Sequence, residues 1–174
     1  SHFLVDGDTA HITNTIIDGS QPSHPDSGSV VFFVSGEDTN SVIYGFTITG
    51  GTGTISDDNY RLGGGIFCYK SGARVSNNHV INNSISHSFK GGGGGFSSFP
   101  YTNKVRSIIE YNIIELNSIT ADEVAAGGGI HPGGEKDCYR GHAGIPGLGF
   151  SHQSFSARAG RCRQGGDLGA VACA

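Results

Sequence analysis

Apolar and polar residues alternate in short runs along most of the chain, and glycine or asparagine closes each run. The three-to-four residue apolar spacing of an amphipathic helix is absent between them. The runs recur. Asn or Phe, any residue, Ile or Val, any two residues, then Asn or Gly is met as NTIIDG from Asn14, FTITGG from Phe46, NHVINN from Asn78 and NIIELN from Asn112, at steps of 32, 32 and 34 residues. A glycine phrase keeps time with it: GGGIF from Gly63, GGGGF from Gly92, GGGIH from Gly127, and GSVVF from Gly28 as a degenerate first copy. Each period therefore holds two or three short strands joined at glycine turns. Such a unit has no means of burying its apolar side alone, so successive units must stack as rungs about 4.8 Å apart. A β-sandwich gives no reason for so constant a step.

Stacking places like positions over like. Asn78 is expected above Phe46 and below Asn112, while Asn83 and Asn117 continue a column begun by Gly19 and Gly51. Asparagine tolerates burial there because its amide bonds to the rung above and the rung below. The intervening positions form two outward columns, Thr15, Thr47, His79, Ile113 and Ile17, Thr49, Ile81, Glu115. Three outward isoleucines, Ile17, Ile81 and Ile113, are apolar surface of the kind that marks contacts, so a homo-oligomer is expected.

These phrases resemble the parallel β-helix repeat of the pectate-lyase-like superfamily, over roughly Asn14 to Gly134. The resemblance implies an all-β, right-handed parallel β-helix, a solenoid of about four short coils within residues 1–134. It also implies a secreted or cell-surface protein acting on carbohydrate or polysaccharide. The superfamily includes hydrolases, lyases, esterases and structural proteins, so the fold is implied more sharply than the activity. Residues 135–174 read differently. All ten asparagines precede Ser118, and Arg, Ala, Gly and Cys become common in their place. This stretch is expected to be an irregular tail, foreign to the repeat or folded as a cap over the last rung near Gly127 to His131, whose unpaired edge otherwise invites association.

Composition narrows the partners. Charged residues make up 15% of the chain and the formal net charge is -4, which leaves no footprint for nucleic acid or an anionic membrane. No run of apolar residues is long enough to cross a bilayer, and the opening SHFLVDGDT lacks the plan of a signal peptide. With no Met, the chain reads as a piece of something longer. The four cysteines show no zinc-like spacing, and Cys68 is expected to be a small buried hydrophobe. The eight histidines are scattered and no G-x-S-x-G elbow occurs, so neither a metal nor a serine nucleophile is assigned.

Chemistry is expected on the long connections, TGTISDDNYRL after Gly51, SISHSFK after Asn83 and SITADEVAA after Asn117. Read as loops on one corner, they bring Asp57 and Asp58, then His87 and Lys90, then Asp122 and Glu123 into one strip, with Tyr60 and Arg61 at its edge. Outer acids two rungs apart stand about 10 Å from each other at the backbone, which suits the carboxyl spacing of an inverting glycosidase, about 6.5 to 9.5 Å. Glu123, beside apolar Val124, Ala125 and Ala126, is the expected proton donor and Asp58 the base. Asp57 and Asp122 are second choices, His87 a proton carrier, and Tyr60, Arg61 and Lys90 are sugar-binding groups. Crowding carboxylates on adjacent loops raises the pKa of at least one of them. The alternatives are a non-catalytic glycan-binding or structural module, and a lyase, which alone of the three would call for Ca²⁺. A second column, Lys70 and Arg74 with Lys104 and Arg106, offers a basic strip for acidic sugars.

Overall fold

The computed structural model describes residues 1–99, 105–132 and 138–140, the last stretch as backbone. Two short helices, α1 (Phe3–Asp6) and α2 (Ala10–Asn14), precede the strands. The first coil holds β1 (Ile16–Asp18), β2 (Ser27–Gly28), β3 (Val31–Phe33) and β4 (Val42–Tyr44). The second holds β5 (Thr47–Thr49), β6 (Gly53–Ile55), β7 (Tyr60–Leu62), β8 (Ile66–Tyr69) and β9 (Arg74–Ser76). The third holds β10 (His79–Ile81), β11 (Ser84–His87), β12 (Lys90–Gly92), β13 (Phe96–Phe99) and β14 (Ile108–Glu110). The last holds β15 (Ile113–Glu115), β16 (Ser118–Ala121), β17 (Val124–Ala126), β18 (Ile130–Pro132) and β19 (Cys138–Arg140).

Three parallel sheets form the body: β1-β5-β10-β15, β3-β8-β13-β18 and β4-β9-β14-β19. The chain is therefore an all-β parallel solenoid, as the repeat predicts, of about three turns where about four short coils were expected. Its last described strand, β19, pairs in parallel with β14, Ile108 opposite Cys138, inside the stretch read from sequence as tail; residues 141–174 lie outside the described residues.

The asparagine columns form as expected. Asn78 Oδ1 accepts the Phe46 N–H at 3.0 Å, and Asn112 Oδ1 accepts the Asn78 N–H at 2.9 Å. At the other end of the same strands, Asn83 Oδ1 accepts the Gly51 N–H at 2.9 Å and Asn117 Oδ1 the Asn83 N–H at 3.0 Å. Inside, Ile48, Ile66, Val75, Val80, Phe96 and Ile109 build the core with Cys68, which is fully buried as expected. The glycine runs serve the same stacking. A Cβ on Gly65 would meet the Gly95 carbonyl oxygen at 2.6 Å, and one on Gly95 the Gly129 oxygen at 2.7 Å, so each rung packs backbone on backbone at this corner.

The first rung corrects the sequence reading by one residue. Ile17, not Ile16, pairs with inward Ile48, and Ile16 pairs with Thr47. A one-residue slip exchanges the faces, so Ile17 turns inward and Ile16 outward, at 58% exposure, in a column with Ile113 at 54%. The outward isoleucines are thus Ile16, Ile81 and Ile113. Asn14 leaves the rung column altogether and closes α2. The two helices lie over the first turn: Phe3 stacks on Tyr44 at 5.3 Å, and the Thr47 hydroxyl donates to the Ile12 carbonyl at 2.8 Å.

Candidate functional site

The three connections expected to be loops are short strands. In the second coil β6 turns back antiparallel on β7, and the hairpin closes where Ser56 N–H donates to the Tyr60 carbonyl at 2.8 Å. Asn59 sits in the left-handed region at the turn, with φ 61, a conformation its short amide tolerates. In the next coils the same corner is formed by β11 and β12, then β16 and β17. Alternation places Ile85 inward and fully buried between Ser84 and Ser86, and Gly91 fits where a Cβ would press on Ile119 and Ile85. These strands make a second layer outside the solenoid, where Leu62, with Tyr60, packs on the outward faces of Phe67, Tyr69 and Phe99.

Register then fixes which candidates meet. Tyr60, Lys90 and Val124 share one column. The residues just before that column, Asp58 and Asn59, Ser88 and Phe89, and Asp122 and Glu123, lie on the three turns that lead into it. The Glu123 N–H donates to the Phe89 carbonyl at 3.0 Å, which joins the last two of these turns. Asp58, Asp122 and Glu123 are all exposed on their turns.

Asp57 leaves the strip. Its Oδ2 accepts the Tyr69 hydroxyl and the Lys70 ammonium, the latter at 3.0 Å. The Tyr69 hydrogen bond, then Lys70, holds its carboxyl below the ordinary aspartate range, so at this acid the shift runs downward. Tyr69 is moved upward in turn, first by burial and then by donating to Asp57. Arg61 is also committed elsewhere: its guanidinium donates to the carbonyls of Pro25 at 2.8 Å and Gly53 at 3.0 Å and pairs with Asp26 at 3.1 Å, pinning the β2 segment to the hairpin. His87 lies opposite Ala121, half-buried, with Nδ1 sealed from solvent and without a partner among the described residues.

Tyr60 and Lys90 do come together, around a residue that sequence reasoning passed over. The rings of Tyr60 and Phe89 stack at 5.9 Å and 30°. The Lys90 ammonium stands 4.7 Å from the Phe89 centroid and 5.3 Å from that of Tyr60, a cation held over two π-faces. Behind them Tyr69 stacks on Phe99 at 6.1 Å, and the Lys70 ammonium lies 4.6 Å from the Tyr69 ring. The signal for Phe89 was available in sequence, since it directly precedes Lys90 on a connection already singled out.

The basic strip does not form as a free surface. Arg74 pairs with Glu110 and Lys70 with Asp57, Arg106 is exposed, and Lys104 lies outside the described residues. On the flat outer face His79 Nε2 lies 2.9 Å from Glu115 Oε1. Among the described residues no helix is long and apolar enough to cross a membrane.

Fold and site together define a parallel β-solenoid that carries an aromatic and basic corner on its stacked turns. No known family model matches the chain, and no characterised protein or solved structure matches it either.

Proposed function

We propose that the chain is a carbohydrate-binding solenoid module, working outside the cell or at its surface, whose aromatic corner takes a sugar chain. The observation that carries this reading is the group Tyr60, Phe89 and Lys90: two half-buried rings in one stack, an ammonium over both, and exposed acids on the turns of the second and last coils. A pyranose offers C–H edges to an aromatic face and hydroxyls to flanking charges. Turns repeated at the rung spacing suit a ligand that itself repeats, and Lys90 adds a partner for carboxylated sugars. Affinity electrophoresis against neutral and acidic polysaccharides tests the reading. Tyr60→Ala and Phe89→Ala are each expected to weaken retention by about tenfold or more, as loss of a central anchor does, whereas Arg106→Ala, at a different corner, leaves it unchanged. A parent protein that no polysaccharide retards sinks the proposal.

A hydrolytic reading is favoured by one observation: the turn that carries Asp58 and the turn that carries Asp122 and Glu123 lead into strands of one parallel column, on either side of the Lys90 strand. Glu123 as acid and Asp58 as base would flank a glycosidic bond lying along the column. Glu123→Gln and Asp58→Asn should then each lower release of reducing ends by about 10² to 10⁴. If the parent binds a polysaccharide and releases no reducing ends from it, these acids serve binding alone.

A further inference from the structure

Three metal-ligating side chains meet at the N-terminal end of the solenoid, apart from the aromatic corner. His2 precedes α1, Asp6 ends it and His11 lies in α2. Gly7, left-handed at φ 73, turns the chain between the helices, so His11 returns to the side of Asp6 and His2. His11 Nε2 is 3.0 Å and His2 Nε2 3.8 Å from the same oxygen, Asp6 Oδ2. One ligand atom from each residue lies within 4.8 Å of the other two. The imidazoles meet edge to face with centroids 4.9 Å apart. The other carboxylate oxygen, Asp6 Oδ1, accepts the Asp8 N–H at 2.9 Å, which orients the group.

We infer that His2, Asp6 and His11 form a binding site for a borderline divalent transition-metal ion, Zn²⁺ above all, that clips α1 to α2 over the first rung. Donor separations of 3.0 and 3.8 Å subtend about 90° and 130° at an ion about 2.1 Å from each donor, a range that brackets tetrahedral coordination. The two imidazole nitrogens come to the required separation by rotation of His2, whose side chain is 62% exposed. Two nitrogen donors and one carboxylate oxygen select Zn²⁺ and its neighbours over Ca²⁺ or Mg²⁺, which take oxygen sets. The chain fills three positions and water the fourth. Helices of 4 and 5 residues are far too short to stand alone, so a clip here stabilises the cap on the solenoid.

The test uses the tag-free chain, stripped with a chelator and titrated with Zn²⁺ by calorimetry and with Co²⁺ by visible absorption. One equivalent is expected, with the intense d–d bands of a tetrahedral cobalt site and a rise in melting temperature that Mg²⁺ does not reproduce. His2→Ala and Asp6→Asn should each weaken uptake by at least about tenfold and abolish the metal-dependent rise. His2→Ala, a change at an exposed side chain, should move the metal-free melting temperature by less than the metal-dependent rise it abolishes. Failure to take up one saturating equivalent overturns the assignment, as does uptake that both substitutions leave unchanged.

Discussion

Asn83 is the residue on which the stacking can be tested most sharply. It is fully buried, and its amide is used on both sides: Oδ1 accepts the Gly51 N–H at 2.9 Å, and Nδ2 donates to the Ile48 carbonyl at 3.1 Å, the Ile81 carbonyl at 3.2 Å and Asn117 Oδ1 at 2.9 Å. Asn83→Ala strands the buried Gly51 N–H, at about 1 to 3 kcal/mol, and forfeits further hydrogen bonds worth about 0.5 to 1.5 kcal/mol each, so a loss of about 3 to 5 kcal/mol is expected. Asn117 supplies the matched control. It makes the same kind of bonds, to the Asn83 N–H, Asn83 Nδ2 and the Val80 carbonyl, but is half-exposed on the last turn. Water reaches what Asn117→Ala leaves behind, and about 1 to 2 kcal/mol is expected. Urea denaturation followed by circular dichroism reads both. With an m-value of about 1 to 3 kcal/mol per molar, the midpoint of Asn83→Ala should fall by about 1 M or more, well below that of Asn117→Ala. If the two substitutions cost the same, or Asn83→Ala costs under about 1 kcal/mol, the asparagine columns do not hold the rungs together.

Glycine needs divide by place: a Cβ on Gly64 would fall on the Gly94 carbonyl oxygen, while Gly7, though left-handed, faces open space. Gly64→Ala should therefore cost about 3 kcal/mol in urea denaturation and Gly7→Ala about 1 kcal/mol. Burial holds the His131 imidazole below its ordinary value of 6.5, so the unfolded chain takes up the proton first as pH falls; stability is full above that value and declines below it. The parent should then lose more of its urea midpoint between about pH 7.5 and about pH 5.5 than His131→Leu does, and equal losses would show that His131 does not contribute. Asp57, shifted downward by Tyr69 and then Lys70 from its ordinary value of 3.8, favours the fold above that value. The lead of the parent over Asp57→Asn should disappear as pH falls below 3.8, through the lower folded-state value.

The rungs were legible because stacking imposes one requirement at each position of every turn. Asn78 and Asn112, or Gly65 and Gly95, repeat in sequence since each must fit its counterpart 30 to 34 residues away. Where that requirement lapses, the pattern misleads. At the first turn the rung meets α1 and α2 in place of another rung, and Ile16 and Ile17 are equally apolar, so nothing local says which of them faces inward; pairing with Ile48 decides it. The helices were illegible for another reason. FLVD and AHITN are each close to one helical turn, too short to show a period, and they are held by contacts to Tyr44 and Thr47 that lie over thirty residues away.

The corner proposed as the site shows in the sequence as three connections at one period, while its contacts do not. The strip was built from charge, and charge is what neighbouring turns most readily neutralise. Asp57 finds Lys70 and Tyr69, Arg61 finds Asp26, and Arg74 finds Glu110, partners that a linear reading assigns to other corners or to none. The surviving group is centred on rings, because a stack of Tyr60 on Phe89 needs only adjacent columns and a one-residue offset, which the register supplies. In a solenoid, then, a residue's chemistry depends less on its own turn than on what the turns above and below place beside it. Phe89 carries more of the proposed binding than any of the acids around it, since it covers Tyr60 and carries the Lys90 ammonium on its face.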